Sequence, residues 1–138
     1  MLMLAASVVE EIIRHAREHA PIEACGYLGE RDGQVQRVIR LRNVDASPEH
    51  FSLDPKEQFA ALRQMRSEGY SLRAAYHSHP ASPARPSQED IRLAFDPQIS
   101  YVIVSLAGPE PDVKSFRIRE GVVAREEIEV STVLGKGK

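Results

Sequence analysis

His77, Ser78, His79, Ser87 and Asp90 fall within fourteen residues of a 138-residue chain. On a strand, residues i and i+2 point to the same side, with roughly 6.6 Å of rise between them. Imidazoles leaning together from that spacing can share one ion at about 2.0–2.1 Å. Asp90 adds a hard oxygen donor. Two nitrogens and one carboxylate leave a fourth position for water, as in catalytic zinc sites, whereas structural sites close with four protein ligands. A bound zinc brings the pKa of water down to about 7 and polarises a carbonyl. Hydrolysis of an amide then needs a base for the water, an acid for the leaving amine and a donor for the oxyanion. Glu23, after Pro21 and between a helix end and a strand, is the candidate for the first two roles, and Ser87 for the third.

Each piece also has an ordinary reading. A lone H-x-H pair is more often packing or surface. Ser87 and Asp90 are spaced as a helix cap, worth about 1 kcal/mol. Glu23 is one of fourteen glutamates. The combination is less ordinary: for this composition, H-x-H-x7-S-x2-D arises by chance roughly 7 times in 10,000. Cys25 could act as a thiol nucleophile with His77 or His79 as base, but a small buried strand residue is the favoured reading, since a cysteine protease leaves the Ser87/Asp90 spacing unexplained. His15 and His19 are four apart on a helix, which reads as a pair of solvated or boundary histidines.

The positioning elements are legible from pattern. Ser7 and Glu10 have capping-box spacing and open a helix over 8–19 with Val9, Ile12, Ile13, Ala16 and Ala20 inward. A hairpin follows over 24–41, turning at Asp32-Gly33. Residues 42–49 read as a polar loop and His50–Leu53 as a short strand. Asp54, Pro55 and Glu57 start a second helix with Phe59, Ala61, Leu62 and Met65 buried and Gly69 as its stop. Residues 71–76 form a strand leading into His77. Pro80, Pro83 and Pro86 stiffen the next loop, and Ser87 caps a third helix with Ile91, Ala94 and Phe95 inward. Residues 100–106 form a buried strand, 112–119 and 122–130 a last hairpin, and the chain frays from Ser131. This order predicts an α/β (α+β) domain, a mixed sheet packed between helices, over residues 1–130, with 131–138 a tail.

The formal net charge of −2 gives no electrostatic footprint for nucleic acid. No apolar run reaches the roughly 20 residues of a membrane span. A single cysteine rules out an internal disulfide, and no signal peptide is evident, so the expected location is cytoplasmic. Oligomeric state stays open; an exposed edge strand would serve a homodimer or an extended peptide tail equally.

The constellation resembles the JAMM (MPN+) metalloprotease family, whose motif is an upstream glutamate, H-[ST]-H-P and S-x-x-D. Here those positions are Glu23, His77-Ser78-His79-Pro80, Ser87 and Asp90, and the segment Pro21–Gly29 looks like the family's setting for its glutamate. The resemblance implies a cytidine-deaminase-like JAMM/MPN fold and one Zn2+ per chain on His77, His79 and Asp90. It implies Glu23 as base and acid, and Ser87 at the tetrahedral intermediate. It also implies cleavage after the C-terminal Gly-Gly of a ubiquitin-like or ThiS/MoaD-type sulfur-carrier protein, in the manner of compact prokaryotic members. The alternative is a non-catalytic, metal-stabilised interaction module of the MPN type. A zinc deaminase is disfavoured, because H-x-E…P-C-x-x-C is absent.

Overall fold

The computed structural model describes residues 1–94 and 96–132. In chain order they form β1 (Leu2–Ala5), α1 (Ala6–His19), β2 (Cys25–Arg31), β3 (Gln34–Leu41), α2 (Pro55–Ser67), β4 (Ser71–His79), α3 (Gln88–Leu93), β5 (Ser100–Ser105), β6 (Asp112–Arg119), β7 (Val122–Glu126) and β8 (Ile128–Ser131). The strands make one mixed sheet in the order β7-β6-β5-β4-β2-β3-β1-β8. β4 runs parallel to β5, and β1 runs parallel to β3 and β8; the other neighbours are antiparallel. Only Glu127 separates β7 from β8. The two ends of the sheet therefore meet, and the sheet curls around α1. The Leu2 amide donates to the Glu127 carbonyl at 2.8 Å at that seam.

Strand alternation divides the core. Leu28, Ala74, Val102 and Val104 face α1 and meet Val8, Ile12 and Ala16. Tyr27 and Ile39 face the other way, onto Ala61 and Met65 of α2. Ile103, Phe116 and Ile118 pack against Ile91 and Ala94 at α3. Fully burying such a side chain stabilises by about 1.5–3 kcal/mol. The mixed sheet between helices is thus as its pattern predicts.

At the start of β4 and β5, far along the strands from His77 and His79, a carboxylate is buried. Glu126 Oε1 accepts from Ser100 Oγ at 2.5 Å and Ser115 Oγ at 2.9 Å, and Oε2 accepts from Arg73 at 3.3 Å. Burial opposes its ionisation, but the two hydroxyls and the guanidinium outweigh that and hold its pKa below the usual range. This network ties β4, β5 and β6 to β7 beside the seam.

Several local expectations are corrected. Residues 2–5 form β1, which feeds straight into α1; Ala5 is the N-cap with no side-chain bond, so Ser7 lies inside the helix and caps nothing. Ala20 is exposed, and His15 takes its place on the inner face. His50–Leu53 is not a strand, because its backbone bonds go to the preceding loop: Val44 N–H donates to Ser52 O at 3.0 Å. Asp54 and Pro55 do open α2, but Glu57 turns away and accepts the Arg42 N–H at 3.1 Å. Phe59 is exposed, since Ala61 and Met65 supply the contact to the sheet. The expected last hairpin is present, β6 pairing antiparallel with β7, but its second strand ends at Glu126, and Ile128–Ser131 pairs with β1 across the seam. Phe95 and residues 133–138 lie outside the described residues.

His15 is 1% exposed, neither the solvated nor the boundary residue its spacing implied. Its Nδ1 is 2.7 Å from the Tyr76 hydroxyl of β4. Burial, helped by Arg40 of β3 and neighbouring His19 and opposed by Glu18, lowers its pKa from 6.5 to about 4. Between those values the unfolded chain binds a proton that the folded chain refuses. Stability from this group is therefore complete above pH 6.5 and is lost as pH falls toward 4, by up to about 3 kcal/mol. Urea denaturation from pH 7 to 4 checks this: His15→Gln loses less stability over that window than the wild type.

Candidate metal centre and active site

β4 lies between β2 and β5, and its carboxyl end carries the two histidines. His77 is in register with Cys25 on one side and Ile103 on the other. The strand stops before Pro80, which has no N–H for the ladder. As the i, i+2 spacing predicts, the rings lean together, with His77 Nε2 3.2 Å from His79 Nε2. Asp90 Oδ2 lies 3.1 Å from each nitrogen.

These three atoms pass a geometric test for a metal. A tetrahedral ion with arms of about 2.0–2.1 Å separates its donors by about 3.3 Å, close to the 3.1–3.2 Å seen. The donor chemistry agrees. His79 Nδ1 faces the Pro83 carbonyl at 2.8 Å and must donate to it, so the neutral ring aims the Nε2 lone pair at the cluster. That lone pair and the Asp90 carboxylate repel unless a cation lies between them. A proton on His79 is the other solution. Burial lowers the His79 pKa, but the Asp90 and Pro83 hydrogen bonds overcome it and raise the value. Among the described residues, His77, His79 and Asp90 form the one group of this kind able to hold a metal ion.

Capping and donor geometry coincide at Asp90. Ser87 Oγ accepts the Asp90 N–H at 3.0 Å, while the Ser87 N–H donates to Asp90 Oδ2 at 2.9 Å. That is the same oxygen that faces the histidines. Burial opposes the Asp90 charge, but bonds from His77, His79 and the Ser87 amide hold its carboxyl well below the usual range. Ser87 is exposed, and among the described residues its hydroxyl accepts from Asp90 N–H and donates to no partner.

Glu23 reaches the site from the other side of β4. It is 3% exposed, and its Oε1 has no hydrogen-bond partner among the described residues. Burial pushes its pKa up to about 8; His79 pulls it down, and Asp90, Glu89 and Glu49 push it up. Such a carboxyl is suited to exchanging a proton near neutral pH. Its backbone is anchored to β4 through its neighbour: Ala24 N–H donates to Ser78 Oγ at 2.7 Å, and Ser78 N–H to Ala24 O at 2.9 Å. Ser78, between the two histidines, faces away from them and locks the glutamate's segment in place. Strand alternation alone places Ser78 on the face opposite the two histidines, but nothing local in the sequence marks its contact with Ala24.

The fold gathers Glu23, His77, His79, Ser87 and Asp90 at one place, and leaves Cys25, His15 and His19 out of the chemistry. Cys25 is buried, and burial raises its thiol to about 12, which removes the thiolate a nucleophile needs. Beside the cluster opens a pocket of about 230 Å³, with Phe51, Leu53, Leu93 and Ile103 as apolar walls and His77 and Asp90 at one end. The Phe51 ring stands over His77, with centroids 4.8 Å apart. The proline-rich loop contributes Pro86 to the pocket wall, and His50–Leu53 supply a further part of it.

Residues 5–119 match the family described as prokaryotic homologs of the JAB domain. The chain is 36% identical over 133 residues to the CysO-cysteine peptidase of Mycobacterium tuberculosis, covering 94% of this chain and 91% of that protein. It is 39% identical over 123 residues to a probable TtuB-protein conjugate cleaving protease of Thermus thermophilus, covering 88% and 78%. The solution structure of a Desulfitobacterium hafniense protein superposes with a TM-score of 0.89 at 51% identity, covering 98% and 96%.

The Ser78 contact has a measurable consequence. Ser78→Ala strands the buried Ala24 N–H and costs about 1–3 kcal/mol. Ser78→Thr, which keeps the hydroxyl, costs less. Urea unfolding of the two variants beside the wild type reads the difference.

Proposed function

The chain belongs to the prokaryotic JAB-domain family, a JAMM (MPN+) metallopeptidase, and on that premise we propose that it hydrolyses the bond after the C-terminal Gly-Gly of a ubiquitin-like, sulfur-carrier type protein with one zinc per chain. The observation that carries this reading is the convergence of two imidazole nitrogens and one carboxylate oxygen beside a buried, unpaired glutamate. In this reading His77, His79 and Asp90 hold the ion. When bound, the zinc supplies a Lewis acid that acidifies water and polarises the scissile carbonyl. Glu23 removes the proton of the attacking water as its oxygen bonds to the carbonyl carbon. It then delivers that proton to the nitrogen as the C–N bond breaks, leaving a carboxylate and an amine. The free Ser87 hydroxyl proton donates to the developing oxyanion.

The relatives support the substrate class, since one is named for CysO-cysteine and another for TtuB–protein conjugates. A Gly-Gly tail suits the site, because side-chain-free backbone can approach a cluster walled by Phe51 and α3. A metal-stabilised interaction module has no use for Glu23, whose burial without a hydrogen bond costs free energy. We take residues 1–130 as the one catalytic domain and the cytoplasm as its place, consistent with a buried, unpaired cysteine. No helix among the described residues is long and apolar enough to cross a membrane.

The test is cleavage of a ThiS/MoaD-type carrier extended a few residues beyond Gly-Gly. Wild type cuts after Gly-Gly with about one zinc per chain, and chelation abolishes the cut. Glu23→Gln keeps zinc and fold but loses about 10²–10⁴ in rate, while His77→Ala loses the zinc itself. Intact substrate with zinc-loaded wild type assigns the chain to the interaction-module class instead.

A further inference from the structure

Asn43 lies outside the motif, yet it is among the most heavily bonded side chains in the molecule. It is 6% exposed. Its Nδ2 donates to the Glu23 carbonyl at 3.1 Å and to the His50 carbonyl at 3.0 Å, with the Ser47 carbonyl at 3.5 Å. Its Oδ1 accepts the amides of Asp45 and Ser52, both at 3.1 Å. Three carbonyls on one side and two N–H groups on the other fix the amide orientation. The Glu23 amide in turn donates to Ser47 O at 2.9 Å. Both backbone polar groups of Glu23 are thus held by the 43–52 loop.

The far end of that loop is the wall of the apolar pocket. His50 and Ser52, bonded directly to Asn43, flank Phe51, whose ring stands over His77. One side chain therefore joins the peptide of the proton-transferring carboxylate to the segment a substrate tail must touch. Glu23 itself makes no hydrogen bond through Oε1 that would fix its side chain independently. Its position follows from where its backbone is held, by Ser78 through Ala24 on the β4 side and by Asn43 and Ser47 on the loop side.

We infer that Asn43 is a positioning residue that sets Glu23 from the substrate-facing loop, so that the pocket wall and the proton-transfer group move as one unit. This rests on the proposed role of Glu23. Asparagine is specified by chemistry. Aspartate has the same size but turns a carboxylate oxygen toward three carbonyls, and serine is too short to span both sides. A misplacement of about 1 Å at a reacting group can cost on the order of 10²-fold in rate.

Zinc-loaded wild type, Asn43→Asp and Asn43→Ser are compared on the extended carrier and on a short Gly-Gly peptide, each with zinc content and thermal melting recorded. The serine variant, which adds no charge, serves where the aspartate variant does not fold. The expected result is one zinc per chain, a kcat on the carrier lowered about 10- to 100-fold, and a smaller change in KM. In a Glu23→Asp background, where the carboxylate is already displaced, the Asn43 substitution adds less than about threefold, the non-additivity of residues that act as a unit. Unchanged kcat in a folded, zinc-loaded variant overturns the inference and leaves the peptidase reading intact, as does full multiplication of the two losses. Intact carrier and peptide with the wild type overturn both.

Discussion

Two imidazole nitrogens and a carboxylate oxygen lie within about 3.2 Å of one another at the end of a central strand, and they are stable only around a positive charge. Lone pairs that close in a mostly buried setting repel, and little water is present to screen them. A proton shared by His79 and Asp90 meets the requirement, and so does a metal cation. The rest of the site is arranged to impose this proximity. Pro83 fixes the tautomer of one ring, Phe51 braces the other, and the α3 cap holds the carboxylate oxygen.

The scaffold makes that arrangement rigid by placing it at the middle of the sheet. Ala74–His77 of β4 are paired on both sides, so His77 cannot shift without disturbing two ladders, while His79 is paired with Ser105 of β5 and follows Ser78, which is bonded to Ala24. β7 and β8 lie beyond the residues matched to the family, yet they bring the sheet's ends together beside the buried face of α1. The buried Glu126 network fastens that seam at the opposite end of β4 and β5. Removing one partner of such a network leaves a buried charge uncompensated, which costs about 3–5 kcal/mol. One end of the central strands thus carries a satisfied charge network for stability. The other carries Glu23, whose Oε1 has no hydrogen-bond partner among the described residues.

The site has two sides of different character. The histidines and Asp90 are held by regular structure: a strand, and a helix cap. Glu23 is held by a strand on one side and an irregular loop on the other, and that loop also walls the pocket. Binding residues on loops above a rigid scaffold are a common division of labour. Here the division runs through a single residue, because the Glu23–Ala24 peptide is shared between Ser78 and Asn43.

Local spacing alone picks out the candidate donors. Histidines two apart ended by a proline, with S-x-x-D at a fixed distance, carry their geometry in local rules: strand alternation orients the rings and capping orients Asp90. The fold class was legible for the same reason, since apolar periodicity is a local signal; helix starts at Asp54 and Ser87 and the Asp32-Gly33 turn were visible too. What tertiary structure decided involves partners distant in the chain. Glu23 is one of fourteen glutamates until Ser78, 54 residues beyond Ala24, clips its segment beside the histidines. His15 looked like a surface residue because the Tyr76 hydroxyl that pays for its burial lies 61 residues away. The short β1 and the splitting of β7 from β8 depend on a sheet closing on itself, which no window of sequence records. Asn43 carried no pattern at all, because an amide with five neighbours is recognised only when the loop that supplies them has folded around it.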